Sequence, residues 1–445
     1  MTRLAMTRVA LAAACCGALL GQAALAQAPA AQMPAGFGPD PALPEPSRTL
    51  LPTVNIAPAE PWPPGTRPLA APGLAVAAYA DALAHPRWIH VLPNGDVLVA
   101  ESNKPDKGGS TGLRAAVMKY KMKKAGAGVP SADRITLLRG VGPDGKALTR
   151  TVFLDKLHSP FGMALVGDKL YVANADALLR FPYRSGQTSI KVAGVKVLAL
   201  PAGRNHHWTK NVVASPDGKK LYISVGSNSN VAEHGMAEEK GRAAIWEFDP
   251  ASGKARVFAT GLRNPVGMAF QPESKVLWTS VNERDELGND LVPDYMTSVR
   301  DGGFYGWPYS YFGRHVDPRV KPPRPDLVAK ALVPDYALGA HTASLGLAFY
   351  DGDLLPALRN GALVGQHGSW NRVPHAGYKL IHVPFADGKP NGPPRDILTG
   401  FLGPRERAYG RPVGVAVDKA GAILLADDVG NIIWRVTPAG KQILH

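Results

Sequence analysis

One hairpin recurs six times along this 445-residue chain, and no other feature limits the fold so tightly. Each copy is a short apolar strand, a turn built on Gly, Asp, Asn or Pro, and a second apolar strand ending near Ala or Val. The copies run Trp88–Ala100, Phe161–Ala173, Val212–Val225, Val266–Thr279, Leu345–Val364 and Val413–Ala426. A two-strand unit cannot bury its apolar faces alone, so evenly patterned copies must stack on one another. Strands with turns between them, and almost no helical periodicity, favour a radial array of small sheets. The expectation is an all-β fold, a six-bladed β-propeller. The copies are unevenly spaced, which predicts long inserted loops, and inserted loops are where function concentrates. One short helix is expected around Leu113–Lys124. With 48 glycines and 41 prolines the chain has turn residues enough for such a fold, and 45% hydrophobic content supplies its core.

The N-terminus reads as a targeting segment. Arg3 and Arg8 precede the apolar stretch Val9–Leu20, and Ala24-Leu25-Ala26 suits cleavage before Gln27. That stretch is too short to anchor stably across a bilayer. Both cysteines, Cys15 and Cys16, lie inside it, so a cleaved chain has no disulfide and no cysteine metal site. The expected organisation is residues 1–26 as signal peptide, 27–73 as a Pro/Ala-rich lead-in that is flexible or extended, and 74–445 as the propeller. The expected location is periplasmic or secreted.

The formal net charge is +14. Nucleic-acid motifs are missing, so an acidic small ligand or an anionic surface is the expected partner. Lys104, Lys107, Arg114, Lys119, Lys121, Lys123 and Lys124 read as a solvated basic loop. More informative are Arg263, Arg372 and Arg411, near the starts of blade strands in different repeats. Loops entering the innermost strands of a propeller open onto one face, so these arginines are placed to converge on a polyanion or to form structural ion pairs.

Before the third hairpin stand His206 and His207, ahead of the Pro216-Asp217-Gly218 turn. Histidine is the usual proton acceptor near neutral pH. Neighbours on an extended strand point to opposite faces, so one of the two is expected to meet a ligand.

Together with that histidine, Gly261-Leu262-Arg263-Asn264-Pro265 and Gly302-Gly303-Phe304-Tyr305-Gly306-Trp307-Pro308 resemble the soluble pyrroloquinoline-quinone (PQQ)-dependent sugar dehydrogenases. Asn282-Glu283-Arg284-Asp285-Glu286 and His367-Gly368-Ser369-Trp370-Asn371-Arg372 make the chain most similar to the sorbosone dehydrogenase branch. The resemblance covers roughly residues 75 to 438. It implies His207 as general base, Arg263 and Asn264 at the quinone, and Arg411 on the cofactor carboxylates. The family's fifth-blade lysine has no identical counterpart, and His367 or Arg372 occupies its region. Calcium is implied too, with Asp285 and Glu286 as candidate ligands, although acidic residues that pair with nearby arginines would read the same way. The implied function is oxidation of a sugar or sugar-derived aldehyde by hydride transfer to PQQ, with a periplasmic electron acceptor. A calcium-dependent propeller lactonase and a non-catalytic binding propeller are the alternatives.

Overall fold

The structure, a computed structural model, describes residues 32–47, 53–105, 120 and 123–440. The signal segment, Lys107, Arg114, Lys119, Lys121 and most of the expected helix at 113–124 lie outside the described residues. Each of the six hairpins forms the inner two strands of a four-stranded antiparallel blade. The blades comprise 86–154, 163–199, 212–260, 265–340, 344–399 and 412–438, the last completed by Leu74–Ala80. That early strand pairs antiparallel with Ile432–Pro438, so the two ends of the propeller close one blade. Inner strands of neighbouring blades contact one another around the axis.

The glycine near the start of four hairpins has a physical reason. A Cβ on Gly267 would lie 2.5 Å from the backbone nitrogen of Leu347, and one on Gly414 would lie 2.8 Å from the carbonyl oxygen of Arg87. Inner strands approach each other so closely at the axis that no side chain fits between them. Pro86, Pro265 and Pro412 begin three of these strands, and beside each the register shifts by a bulge. A proline lacks the N–H that an inner edge would leave unpaired, and a bulge re-aims the residues next to it. Both devices sit where the strands leave the face that carries the site.

Large apolar side chains fill the gaps between blades. Trp278 of the fourth blade is 2% exposed and meets Phe349 and Phe385 of the fifth edge-on, with ring centroids 6.3 and 5.1 Å away. The described part of the lead-in is extended and paired. Phe37–Gly38 adds a fifth strand to the fourth blade and Leu69–Ala70 one to the fifth. Among the described residues no helix is long and apolar enough to cross a membrane.

Candidate functional site

Second strands of the blades end, and first strands begin, around one cavity of about 410 Å³ at the axis. Its walls include His206, His207, Arg263, Asn264, Asp285, His367 and Arg411, which come from the third, fourth, fifth and sixth blades. Two expected site residues, Arg372 and Glu286, are not among them.

His207 is fixed by its own blade. Its Nδ1 lies 3.0 Å from the carbonyl oxygen of Ser227 and 3.0 Å from that residue's hydroxyl, in the loop after the second strand. A carbonyl only accepts, so Nδ1 carries the proton and Nε2 keeps its lone pair for the cavity. The loop is braced in turn by buried Glu239, which accepts from the Asn228 N–H at 2.7 Å and from the Ser229 hydroxyl. Burial, then the charges of Arg263 and His206, hold the His207 imidazole well below its ordinary value of 6.5. It is a neutral acceptor at neutral pH. Contrary to the strand-alternation expectation, His206 also lines the cavity, its ring 4.6 Å from that of His207. The pair sits in an irregular loop ahead of the strand, where Asn205 has a φ of 46°, so period-two alternation does not apply.

Gly226 lets this corner close. A Cβ there would lie 2.6 Å from Cβ of His207 and would overlap Oδ1 of Asn264. That Asn264 oxygen is buried and has no hydrogen-bond partner among the described residues.

Arg263, 1% exposed, is saturated by its surroundings. Its guanidinium donates to the carbonyls of Asn230, Asn282 and Glu283, to Asn230 Oδ1 at 2.9 Å and to Asp285 Oδ2 at 3.2 Å. Trp307, from the Gly-Phe-Tyr-Gly-Trp-Pro motif, donates to the same Asn230 carbonyl at 2.9 Å and so steadies the loop that holds the arginine. Asp285 also accepts from Asn371 at 2.8 Å and faces His341 at 3.6 Å. Burial alone would raise the Asp285 carboxyl, but the His341 contact, the Arg263 charge and the Asn371 amide take it down to about 2. Glu286 turns outward to Arg319 at 2.5 Å. The two carboxylates therefore do not converge on a cation, and the oxygens of Asp285 are engaged by donors. Among the described residues no group of three His, Cys, Asp or Glu side chains is placed to hold a metal.

Arg411 is the opposite case. It is 4% exposed, and its guanidinium donates to the backbone carbonyls of His367, Gly368 and Ala57 at 3.3 to 3.5 Å. Its Nε has no partner among the described residues, and its guanidinium carbon lies 4.9 Å from the centre of the Tyr378 ring. A buried cation held by long contacts to neutral groups is poised for an incoming carboxylate. His367 lies beside it, with Nε2 3.0 Å from Asp428. Arg372 instead donates to Asp290 at 2.6 Å and to the carbonyls of Asn289 and Pro374, beside a separate cavity of about 620 Å³.

Three wall residues carry chemistry that the sequence alone does not assign: Arg87, Asp428 and Lys104. Asp428 bridges Arg87, His367 and, at 3.4 Å, His85. Burial would raise its carboxyl, but His367, His85 and Arg87 hold it far below the usual carboxylate range. The available signal was position, because Pro86-Arg87 stands at a hairpin start like Arg411-Pro412. Lys104 reaches the cavity rather than open solvent alone. The cavity then sets Arg87, Lys104, Arg263 and Arg411 against Asp285 and Asp428. That excess of positive charge, beside a neutral imidazole acceptor, suits an anionic ligand and proton abstraction next to it.

A family model described as TrAA12-like matches residues 68–294 and 328–439. An uncharacterized protein of Borreliella burgdorferi is 29% identical over 293 residues, 63% of this chain and 76% of that protein. The pyrroloquinoline quinone-dependent pyranose dehydrogenase of Coprinopsis cinerea is 28% identical over 229 residues, 42% of this chain. The match spans only 31% of that enzyme's length. The solved PQQ domain of the Coprinopsis pyranose dehydrogenase superposes with a TM-score of 0.65 at 20% identity, covering 86% of this chain and 100% of that one. A calcium structure of a Trichoderma reesei carbohydrate-active enzyme of family AA12 gives 0.68 at 17% identity, over 88% and 100%. The shared fold is that of PQQ-dependent sugar dehydrogenases.

Proposed function

This chain belongs to the TrAA12-like family, and on that premise we propose that it is a PQQ-dependent dehydrogenase of a sugar or sugar-derived aldehyde, an aldose or a sorbosone-like substrate. One observation carries the proposal: His207, with its tautomer set by Ser227, and the unneutralised Arg411 line a single cavity. Among the described residues that line the cavity, Nε of Arg411, Nε of Arg87, Oδ1 of Asn264 and Oδ1 of Asp428 are buried polar atoms left without a partner. The volume lies within the roughly 300–1,000 Å³ of small-molecule sites.

These residues fit PQQ, whose carboxylates call for cations. Arg411, Arg87 and Lys104 would hold it, with Asn264 near the quinone. Bound there, it would supply the two-electron acceptor that no protein side chain can provide. His207 Nε2 takes the proton of the substrate hydroxyl. Arg263, already balanced by Asp285, fixes the position of Asn264 and of the loop under His207 rather than adding a free charge. Asp285 and Glu286 do not fit calcium, since Asp285 is engaged by Arg263 and Asn371 and Glu286 turns outward to Arg319. The excess of cations weighs against a lactonase-like hydrolase, which would place acidic and asparagine ligands around the axis. Export across the inner membrane and transfer of electrons to a separate periplasmic acceptor complete the proposal, supported by the leader sequence.

The test is direct. Purified protein is mixed with PQQ, with and without calcium, and its absorbance recorded. Dye reduction is then followed with aldoses and sugar aldehydes. Quinone uptake with sugar-dependent bleaching of the dye is expected. A protein that takes up no quinone overturns the proposal.

A further inference from the structure

The cavity has a wall that does not belong to any blade. Residues 53–62, in the lead-in, cross the site face from the fifth blade over the sixth to the first. The Asn55 N–H donates to the Trp370 carbonyl at 2.8 Å, and its side-chain amide donates to the Arg372 carbonyl at 2.9 Å. Ile56 lines the cavity. The carbonyl of Ala57, a fully buried residue, accepts from Arg411 Nη2 at 3.3 Å. The Ala59 N–H donates to Lys124 O at 2.8 Å and that of Glu60 to Ala408 O at 2.9 Å. Trp62 anchors the far end through Nε1 to Asp427 Oδ2 at 2.9 Å, and the other oxygen of Asp427 accepts the Arg411 backbone N–H at 2.8 Å.

The propeller is carved to receive this strap. A Cβ on Gly126 would lie 3.1 Å from Cβ of Ala59, and one on Gly430 would lie 2.7 Å from Nε1 of Trp62. Pro58 and Pro61 hold their own φ near the extended value, so ordering the strap costs less chain entropy than an ordinary loop would. The strap covers the half of the cavity where Arg411 and His367 stand. The half with His206, His207 and Asn264 lies across the axis, on the third and fourth blades.

We propose that residues 53–62 are part of the cofactor site, a strap that closes over the anion-binding half and retains the cofactor, with Ile56 as its contact and the Ala57 carbonyl as its link to Arg411. This rests on the quinone reading above. A carboxylate drawn to Arg411 arrives against the strap, so binding and strap order are coupled. Related complexes differ in affinity chiefly through dissociation, so retention is the quantity the strap controls.

Two measurements on the full protein with PQQ test this. Hydrogen exchange of the Asn55, Ala59 and Glu60 amides is expected to slow several-fold when PQQ is added. Ile56→Ala is expected to release PQQ about ten times faster than the parent in a stopped-flow displacement experiment. Equal release rates together with unchanged strap exchange, in a parent that does take up PQQ, overturn the strap's role alone. A parent whose spectrum registers no PQQ uptake overturns the quinone reading first and this inference with it.

Discussion

His207 and Ser227 are joined through a ring nitrogen and a backbone carbonyl 3.0 Å apart, and this contact decides which end of the imidazole receives a proton. A carbonyl cannot be removed by substitution at Ser227, so the tautomer is set by the backbone of the loop and not by a replaceable side chain. The hydroxyl of Ser227, donating to the Ser229 carbonyl at 2.7 Å, keeps that loop in place.

His207→Ala is therefore expected to keep its fold and its quinone uptake and to lose roughly two to four orders of magnitude in turnover, the usual range for a positioned general base. His206→Ala should cost much less, although His206 also faces the cavity, because among the described residues no such carbonyl sets its ring. Steady-state dye reduction by both loaded variants decides the matter. A dead His206 variant beside an active His207 variant would reassign the base.

The pH profile follows from the same corner. A base held well below 6.5 stays deprotonated as the solution is acidified past that value, so the acid limb of kcat/KM lies below the ordinary imidazole range. Removing a nearby cation raises the base. Arg263→Gln takes away the second-largest cause of the depression after burial and frees the Asp285 charge, and both changes move the limb to higher pH. A limb at or above 6.5 in the parent contradicts the assignment.

Arg411 and Arg372 separate by their partners. Arg411→Ala should weaken PQQ binding about 10- to 100-fold while slowing the saturated enzyme far less, because a carboxylate clamp acts alike in ground and transition states. Arg372→Ala, which breaks an exterior pair with Asp290, should change the affinity less than about threefold. Titration of each apo-variant with PQQ measures both. Similar affinities for the two variants would mean that the cavity is not where the cofactor binds.

Glu283 offers a stability test. It is 4% exposed, and burial, only partly offset by the Arg284 N–H and the Arg263 charge, raises its carboxyl from 4.5 to about 7. A folded-state value above the unfolded one stabilises the protonated form, so the full contribution holds below about 4.5 and is lost as pH climbs through about 7. Glu283→Gln keeps an acceptor for that N–H and has no charge to bury. It should raise Tm at pH 8 relative to the parent, by an amount corresponding to at most about 3 kcal/mol, and leave Tm at pH 5 nearly unchanged. Calorimetry at the two pH values checks it, and an equal shift at both would refute the titration argument.

The blades were legible because each hairpin carries its own pattern, including the glycine that lets inner strands touch. His207, Arg263 and Arg411 were legible as neighbours because each stands just ahead of a hairpin's first strand, whereas Asn264 and His367, the latter at the end of the fifth hairpin, came through the family resemblance. Arg87 and Asp428 were not, since they meet only when the first and sixth blades close together, and no local pattern encodes that meeting. Arg372 and Glu286 were misleading because each adjoins a residue that points inward, Asn371 or Asp285, and the backbone turns between them, at Glu286 through a φ of 73°. The strap was invisible because its prolines read as a flexible or extended lead-in and its partners, backbone carbonyls together with the Arg411 and Asp427 side chains, lie far away in sequence.

Closure of the sixth blade by Leu74–Ala80 against Ile432–Pro438 also fixes when the protein can become competent. During synthesis the early strand emerges long before its mate, and it has no other place in the ring. Contacts this distant in sequence form late and slowly. A chain cut short before Ile432 keeps five complete blades, but its sixth lacks the strand that joins Leu74–Ala80 to Ile423–Asp427. The ring is thus latched by its last strand to arrive, and a half-made or C-terminally clipped chain lacks the partner of Ile423–Asp427, the strand that leads into Asp428 in the cavity wall.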